Sequence, residues 1–148
     1  GLYRERAGCF LAVGETAEGI AAASTHVAAL ARASYSMPPA HGAAIVATIL
    51  NNAELRAEWE AELTRMRERM ISLRKALADA LVEKTGSNRL GAVANQNGMF
   101  SQLPLSKDGI TAMREKSGLY MPNSGRINIA GLNLKDIPTI ADIIASEA

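Results

Sequence analysis

The residues best equipped for chemistry in this chain are arginines in unusual company. Arg126 lies within Asn123-Ser124-Gly125-Arg126-Ile127-Asn128-Ile129-Ala130-Gly131. There the glycine permits close backbone approach and the following apolar alternation sets the arginine on a strand. A planar guanidinium so held can grip a carboxylate through two parallel hydrogen bonds, although the local context alone favours a surface salt bridge over that role. Other chemistries find little support. His26 and His41 are the two histidines, and no Cys/His pair has metal-ligand spacing. A Gly-x-Gly-x-x-Gly turn, a phosphate-loop lysine and a serine elbow are all missing from the sequence. The single cysteine, Cys9, sits in Gly8-Cys9-Phe10-Leu11-Ala12-Val13 and reads as a small apolar group in a buried strand rather than a reactive thiol.

The bulk properties narrow the partners. With 148 residues, 48% hydrophobic and 21% charged, the chain is long enough for one ordinary domain. Its formal net charge of +1 creates no global field favouring nucleic acid or an anionic membrane, so neither partner is expected. The longest apolar run, 43–50, falls far short of the roughly 20 residues that span a bilayer, which predicts a soluble protein. The start, Gly1-Leu2-Tyr3, carries neither Met nor a signal pattern and reads as a fragment or a processed chain.

The elements that must position the arginines follow from periodicity and punctuation. A short apolar run at 8–13 predicts a buried strand, and the alanine-rich stretch 15–33, acidic at its start, predicts a helix. Pro38-Pro39 forces a rigid loop, after which a short apolar helix runs to residue 50 and Asn51-Asn52 turns and caps the next element. From 53 to about 84, Leu55, Trp59, Leu63, Met66, Met70, Leu73, Leu77 and Leu81 recur at three- and four-residue steps, predicting one long amphipathic helix. The remainder predicts apolar strand-like runs at 90–94, 99–103, 119–121 and 127–130, a helix opened by Ser106, and a last helix over 134–145. The expected class is α/β (α+β), with a small mixed sheet packed against helices.

Four blocks then carry a specific resemblance: residues 1–8 (Gly-Leu-Tyr-Arg-Glu-Arg-Ala-Gly), 35–42 (Tyr-Ser-Met-Pro-Pro-Ala-His-Gly), 95–101 (Asn-Gln-Asn-Gly-Met-Phe-Ser) and 124–131 (Ser-Gly-Arg-Ile-Asn-Ile-Ala-Gly). In order and spacing they resemble the C-terminal portion of the aspartate/aromatic amino acid aminotransferases, enzymes of fold type I that depend on pyridoxal 5'-phosphate. The resemblance implies a cytoplasmic homodimer with active sites at the subunit interface. It implies that residues 1–52 are the end of the large cofactor-binding domain and 53–148 the small C-terminal domain. It makes Arg126 the ligand of the substrate α-carboxylate and Arg32 the ligand of a distal carboxylate, reaching across from the neighbouring subunit. Arg6 would pair with the cofactor phosphate, Phe100 would line the substrate pocket, and Ser36 and Tyr35 would lie near the intersubunit face of the site.

The same resemblance places the Schiff-base lysine just before Gly1, so the chain by itself is expected to be inactive, recognising amino acid and 2-oxo acid carboxylates for a larger enzyme. Lys75, Lys84, Lys107, Lys116 and Lys135 fall outside the matching block. Two departures bear on substrate choice: Met37 stands where Asn or Ser often precedes the paired prolines, and Asn123 stands where a small apolar residue is common. The competing expectations are a non-catalytic helical interaction domain and a degenerate aminotransferase relative. Because the first half-hundred residues would lack most of their sheet, apolar surface over 8–50 is expected to be exposed.

Overall fold

A computed structural model of the chain describes residues 3–147. It divides into two compact units, Gly1–Leu63 and Thr64–Ala148. The sequence-based boundary at 52/53 coincides with the start of the long helix, whereas the units meet inside that helix.

The first unit is built of helices with little interior. Helix α1 spans Ala17–Ser34, and its N-cap Thr16 accepts a hydrogen bond from the Gly19 amide at 3.1 Å. Not one residue of α1 is buried. Helix α2, His41–Asn51, buries Gly42 alone. A Cβ at that glycine would stand 2.9 Å from the Glu5 carbonyl oxygen, so the absent side chain lets the bent segment around Glu5 lie against the helix. His41 Nδ1 and Glu5 Oε2, 2.8 Å apart, fasten the same junction.

Helix α3, Ala53–Thr85, matches the predicted long helix closely. Asn52 caps it as its side chain type suggests, Oδ1 accepting from the amides of Glu54 and Leu55 at 3.0 Å each. Its apolar stripe is used unevenly: Leu73, Leu77 and Leu81 are buried, while Leu55 and Met66 are exposed. Further on come a one-turn helix α4 at Asn88–Gly91, continued by a 3-10 turn at Ala92–Asn95, strand β1 at Phe100–Gln102, helix α5 at Lys107–Ser117, strand β2 at Arg126–Asn128 and helix α6 at Ile137–Ser146. Leu73, Leu77 and Leu81 of α3 close one core with Leu90, Val93, Leu103, Ile110, Met113, Ile129, Ile137 and Ile144.

Helix α5 shows how local chemistry sets an element. Ser106 Oγ accepts from the Gly109 amide at 3.0 Å, and Gly118, at φ 65°, ends the helix in the left-handed region. Its amide then donates to Arg114 at 3.1 Å while that of Leu119 donates to Met113 at 3.3 Å, satisfying carbonyls the helix leaves open.

Five expectations are corrected. The run at 8–13 forms no strand and lies exposed, with Phe10 at 76% and Val13 at 99%; among the described residues nothing within the unit offers it a ladder to join. Cys9 is therefore exposed, not buried. The run at 90–94 is helical, because its apolar residues Leu90 and Val93 recur at three and pack on α3; the run at 119–121 is irregular. The sheet is not mixed: among the described residues it is one antiparallel pair, β1 with β2. The exposed apolar surface expected over 8–50 is present.

Candidate active site

The β1–β2 ribbon is what presents Arg126. Its register pairs Phe100 with Asn128, Ser101 with Ile127 and Gln102 with Arg126. Alternation puts Ser101, 3% exposed, on the core face and leaves Phe100, Gln102, Arg126 and Asn128 on the open face. Arg126 and Phe100 are diagonal neighbours on that face, and the guanidinium carbon lies over the phenyl ring 5.0 Å from its centroid. Among the described residues no hydrogen bond or ion pair engages the Arg126 side chain, so its five donors are open to a ligand.

Gly125 makes this placement possible. At φ 74° it occupies a conformation that favours glycine, and a Cβ there would run into the Leu103 carbonyl. That carbonyl belongs to the residue whose amide donates to Gly125 O at 2.9 Å, so the glycine lets the chain enter β2 while hugging the end of β1. Gln96 acts as a short third strand: its side-chain amide exchanges hydrogen bonds with the Gln102 backbone at 2.8 and 2.9 Å. Asn123, the unusual residue ahead of Ser124, is within 3.5 Å of Arg114, linking the turn before β2 to α5.

Arg126 and Phe100 also line a pocket of about 350 Å³, whose walls include Tyr120, Pro122, Asn128 and Ile140. A cation stacked on an aromatic ring in the lining of a mostly apolar pocket suits a ligand with a carboxylate at one end and an apolar body at the other.

In the first unit, a second cleft of about 660 Å³ is lined by residues 5–9, Tyr35, Pro38, Pro39 and Gly42 among others. Arg6 thus lines a cleft with Tyr35, and its backbone, at φ 51°, is held in the left-handed region sparsely used by non-glycine residues. An exposed arginine beside a cleft fits a phosphate monoester, the anionic end of pyridoxal 5'-phosphate. Arg32 lies exposed in the last turn of α1, where a cation also complements the helix dipole. Ser36 closes α1 at φ 63°, its amide donating to Ala31 at 3.2 Å. Neither Arg32 nor Ser36 lines the cleft beside Arg6. Met37 is 78% exposed.

Two participants escaped the sequence reading. Tyr120, 76% exposed on the wall of the Arg126 pocket, stands in a stretch taken for a strand. Arg74 is 4% exposed and grips β1 from α3. Its signal was present, since it occupies the apolar stripe four residues after Met70 and three before Leu77. Among the described residues no cluster of His, Cys, Asp or Glu can hold a metal ion, and no helix is long and apolar enough to cross a membrane.

The second unit is thus a helical body carrying a two-stranded antiparallel ribbon, with an arginine open on the ribbon's outer face. Comparison with known proteins makes it particular. The family model for aminotransferase class I and II matches residues 1–144, and the chain belongs to that family. It is 52% identical over 141 residues to the tyrosine aminotransferase of Rhizobium meliloti (strain 1021), covering 95% of this chain and 36% of the relative. It is 42% identical over 146 residues to the aspartate aminotransferase of Salmonella typhi, covering 99% and 37%. A solved aromatic amino acid aminotransferase with 3-indolebutyric acid superposes with a TM-score of 0.86 at 45% identity, over 99% of this chain and 37% of that one. The chain therefore spans a little over a third of the length of the relatives it matches.

Proposed function

We propose that this chain is the C-terminal part of a pyridoxal-phosphate-dependent aminotransferase that moves an amino group between aspartate or an aromatic amino acid and 2-oxoglutarate. The observation that carries the reading is Arg126: open to a ligand, stacked on Phe100 and lining an apolar pocket. Arg126 binds the substrate α-carboxylate, and the pocket walls take the apolar part of the side chain. Arg32 binds a distal carboxylate when there is one, supplied by the other protomer of a homodimer, with Ser36 nearby. One arginine at each end orients a diacid, whereas a monoacid with an aromatic body rests on apolar walls instead.

Arg6 holds the cofactor phosphate. Bound pyridoxal phosphate supplies the electron sink for the bond changes at the substrate α-carbon, and this chain's residues supply orientation and exclusion of water around it. The lysine that holds the cofactor lies outside these 148 residues, so the chain alone does not transaminate. Residues 1–52 belong with the cofactor domain and 53–148 form the small domain. A cytoplasmic location accords with the family resemblance.

The test is Arg126→Leu in the full-length holoenzyme. Loss of a charge-assisted carboxylate contact should remove about 2–4 kcal/mol of transition-state binding, read as kcat/KM for the amino acid. Unchanged turnover would sink the reading and favour a helical interaction domain whose arginines only solubilise it.

A further inference from the structure

Arg74 is a cation where stability alone would not place one. It is 4% exposed, on the face of α3 that packs the core, and no carboxylate pairs with it among the described residues. Burying a guanidinium costs several kcal/mol unless its donors are met, and a well-packed apolar side chain of similar volume often serves a fold as well or better. Two of its five donors are met by β1 and the turn before it. Nε donates to Ser101 Oγ at 3.2 Å, and Nη2 donates to the Gly98 carbonyl.

Those two anchors bracket Phe100. Gly98, at φ 86°, forms the turn that delivers the chain into β1, and Ser101 is the one β1 residue whose side chain enters the core. The ribbon itself is only three residues per strand. So short a pair is marginal by its own ladder and takes its exact placement from whatever staples it to the body. Arg69 staples the outgoing side, donating to Ala130 O at 3.1 Å and Leu132 O at 2.9 Å, while Arg74 staples the incoming side. On the opposite face, Phe100 carries the ring over which the Arg126 guanidinium lies.

We propose that Arg74 is a positioning residue for carboxylate recognition: by pinning Gly98 and Ser101 on either side of Phe100, it fixes the ring that aims Arg126. The inference rests on the proposed role of Arg126. It assigns the buried cation to the geometry of the site and not to contact with substrate. A lysine at this position would reach one anchor but would lack the planar fork that meets both.

The experiment uses the full-length holoenzyme and 3-phenylpropionate as a competitive inhibitor that offers a carboxylate on an apolar body. Arg126→Leu is the reference, expected to raise Ki at least about thirtyfold through loss of the charge-assisted contact. Arg74→Met is expected to raise Ki about tenfold, and Arg74→Lys and Ser101→Ala by smaller factors, because a misaimed guanidinium loses most of its benefit. In the Arg126→Leu background Arg74→Met should raise Ki no further, since it acts through the residue already removed. A merely structural role would lower thermal stability and raise Ki by the same factor in both backgrounds, which overturns the proposal. Should Arg74→Met fail to fold, Arg74→Lys and Ser101→Ala decide: unchanged Ki in both overturns it. If Arg126→Leu itself leaves Ki unchanged, the carboxylate reading of the site has failed, and the positioning role falls with it.

Discussion

The two units of this chain use their apolar residues in opposite ways. In Gly1–Leu63 the one buried residue among those described is Gly42, which has no side chain to bury, while Phe10, Leu11, Val13 and Leu30 face outward. In Thr64–Ala148 fourteen apolar residues form a single cluster, from Leu73 to Ile144. Apolar composition is therefore no measure of self-sufficiency. What separates the units is whether helix faces and strand runs find complementary faces within reach. The second unit closes most of α3, α5, α6 and the ribbon over one another, and the first has α1, α2, the opening turns of α3 and a length of irregular chain with too little between them.

The strongest way to break this contrast is at the centre of the second unit. Leu77 is fully buried and belongs to the middle of the packed half of α3. Leu77→Ala should destabilise the 148-residue chain by about 2–5 kcal/mol, the sum of lost transfer energy and the cavity left behind. Urea unfolding followed by far-ultraviolet circular dichroism measures it. A change below about 1 kcal/mol would mean that this cluster does not hold the unit together.

The pattern of what was legible in the sequence follows the same division. Signals that act within a few residues read true: Asn52 capping α3, Ser106 capping α5, and the three- and four-step stripe of α3. Strand assignments fared less well, because an apolar run becomes a strand only when another segment supplies its ladder. The run at 99–103 found β2 and the run at 8–13 found no partner among the described residues of its unit. For the site, Arg126 and Phe100 were named from motif and resemblance, and the structure brings them into contact. Arg74 escapes a reading by residue type, because an arginine on an amphipathic helix is expected in solvent, although its phase on the stripe puts it inside.

A smaller effect tests how the second unit is tied at its surface. Lys84 of α3 donates to Asp142 of α6 at 2.7 Å. That hydrogen bond, and then the attraction of the carboxylate, raise the lysine above its ordinary value of 10.5. Because the folded pKa lies above the unfolded one, the contribution is fully present below the unfolded value and is lost as pH rises through the folded value. Both side chains are substantially solvated, so the contribution is small and screened by salt. Lys84→Met should lower the thermal midpoint slightly by the same amount from pH 7 to 9, with the difference from the parent chain shrinking above about pH 10.5. A difference that grows with pH would refute the assignment.

The least effect is expected where the first unit's apolar residues stand open. Leu11 is 83% exposed, in a segment without a ladder. In the 148-residue chain Leu11→Ser should alter the free energy of unfolding by no more than about 0.5 kcal/mol, as surface substitutions generally do. The same change in the full-length protein separates two meanings of that exposure. If the 8–13 run pairs with strands of a cofactor domain, burial of the leucine makes the substitution cost about 1.5–3 kcal/mol there, and the difference between the two contexts measures what the first unit takes from its surroundings. Equal, near-zero costs in both would show that the segment is a surface loop in its own right, and the contrast between the units would then reflect chain design instead of missing complement.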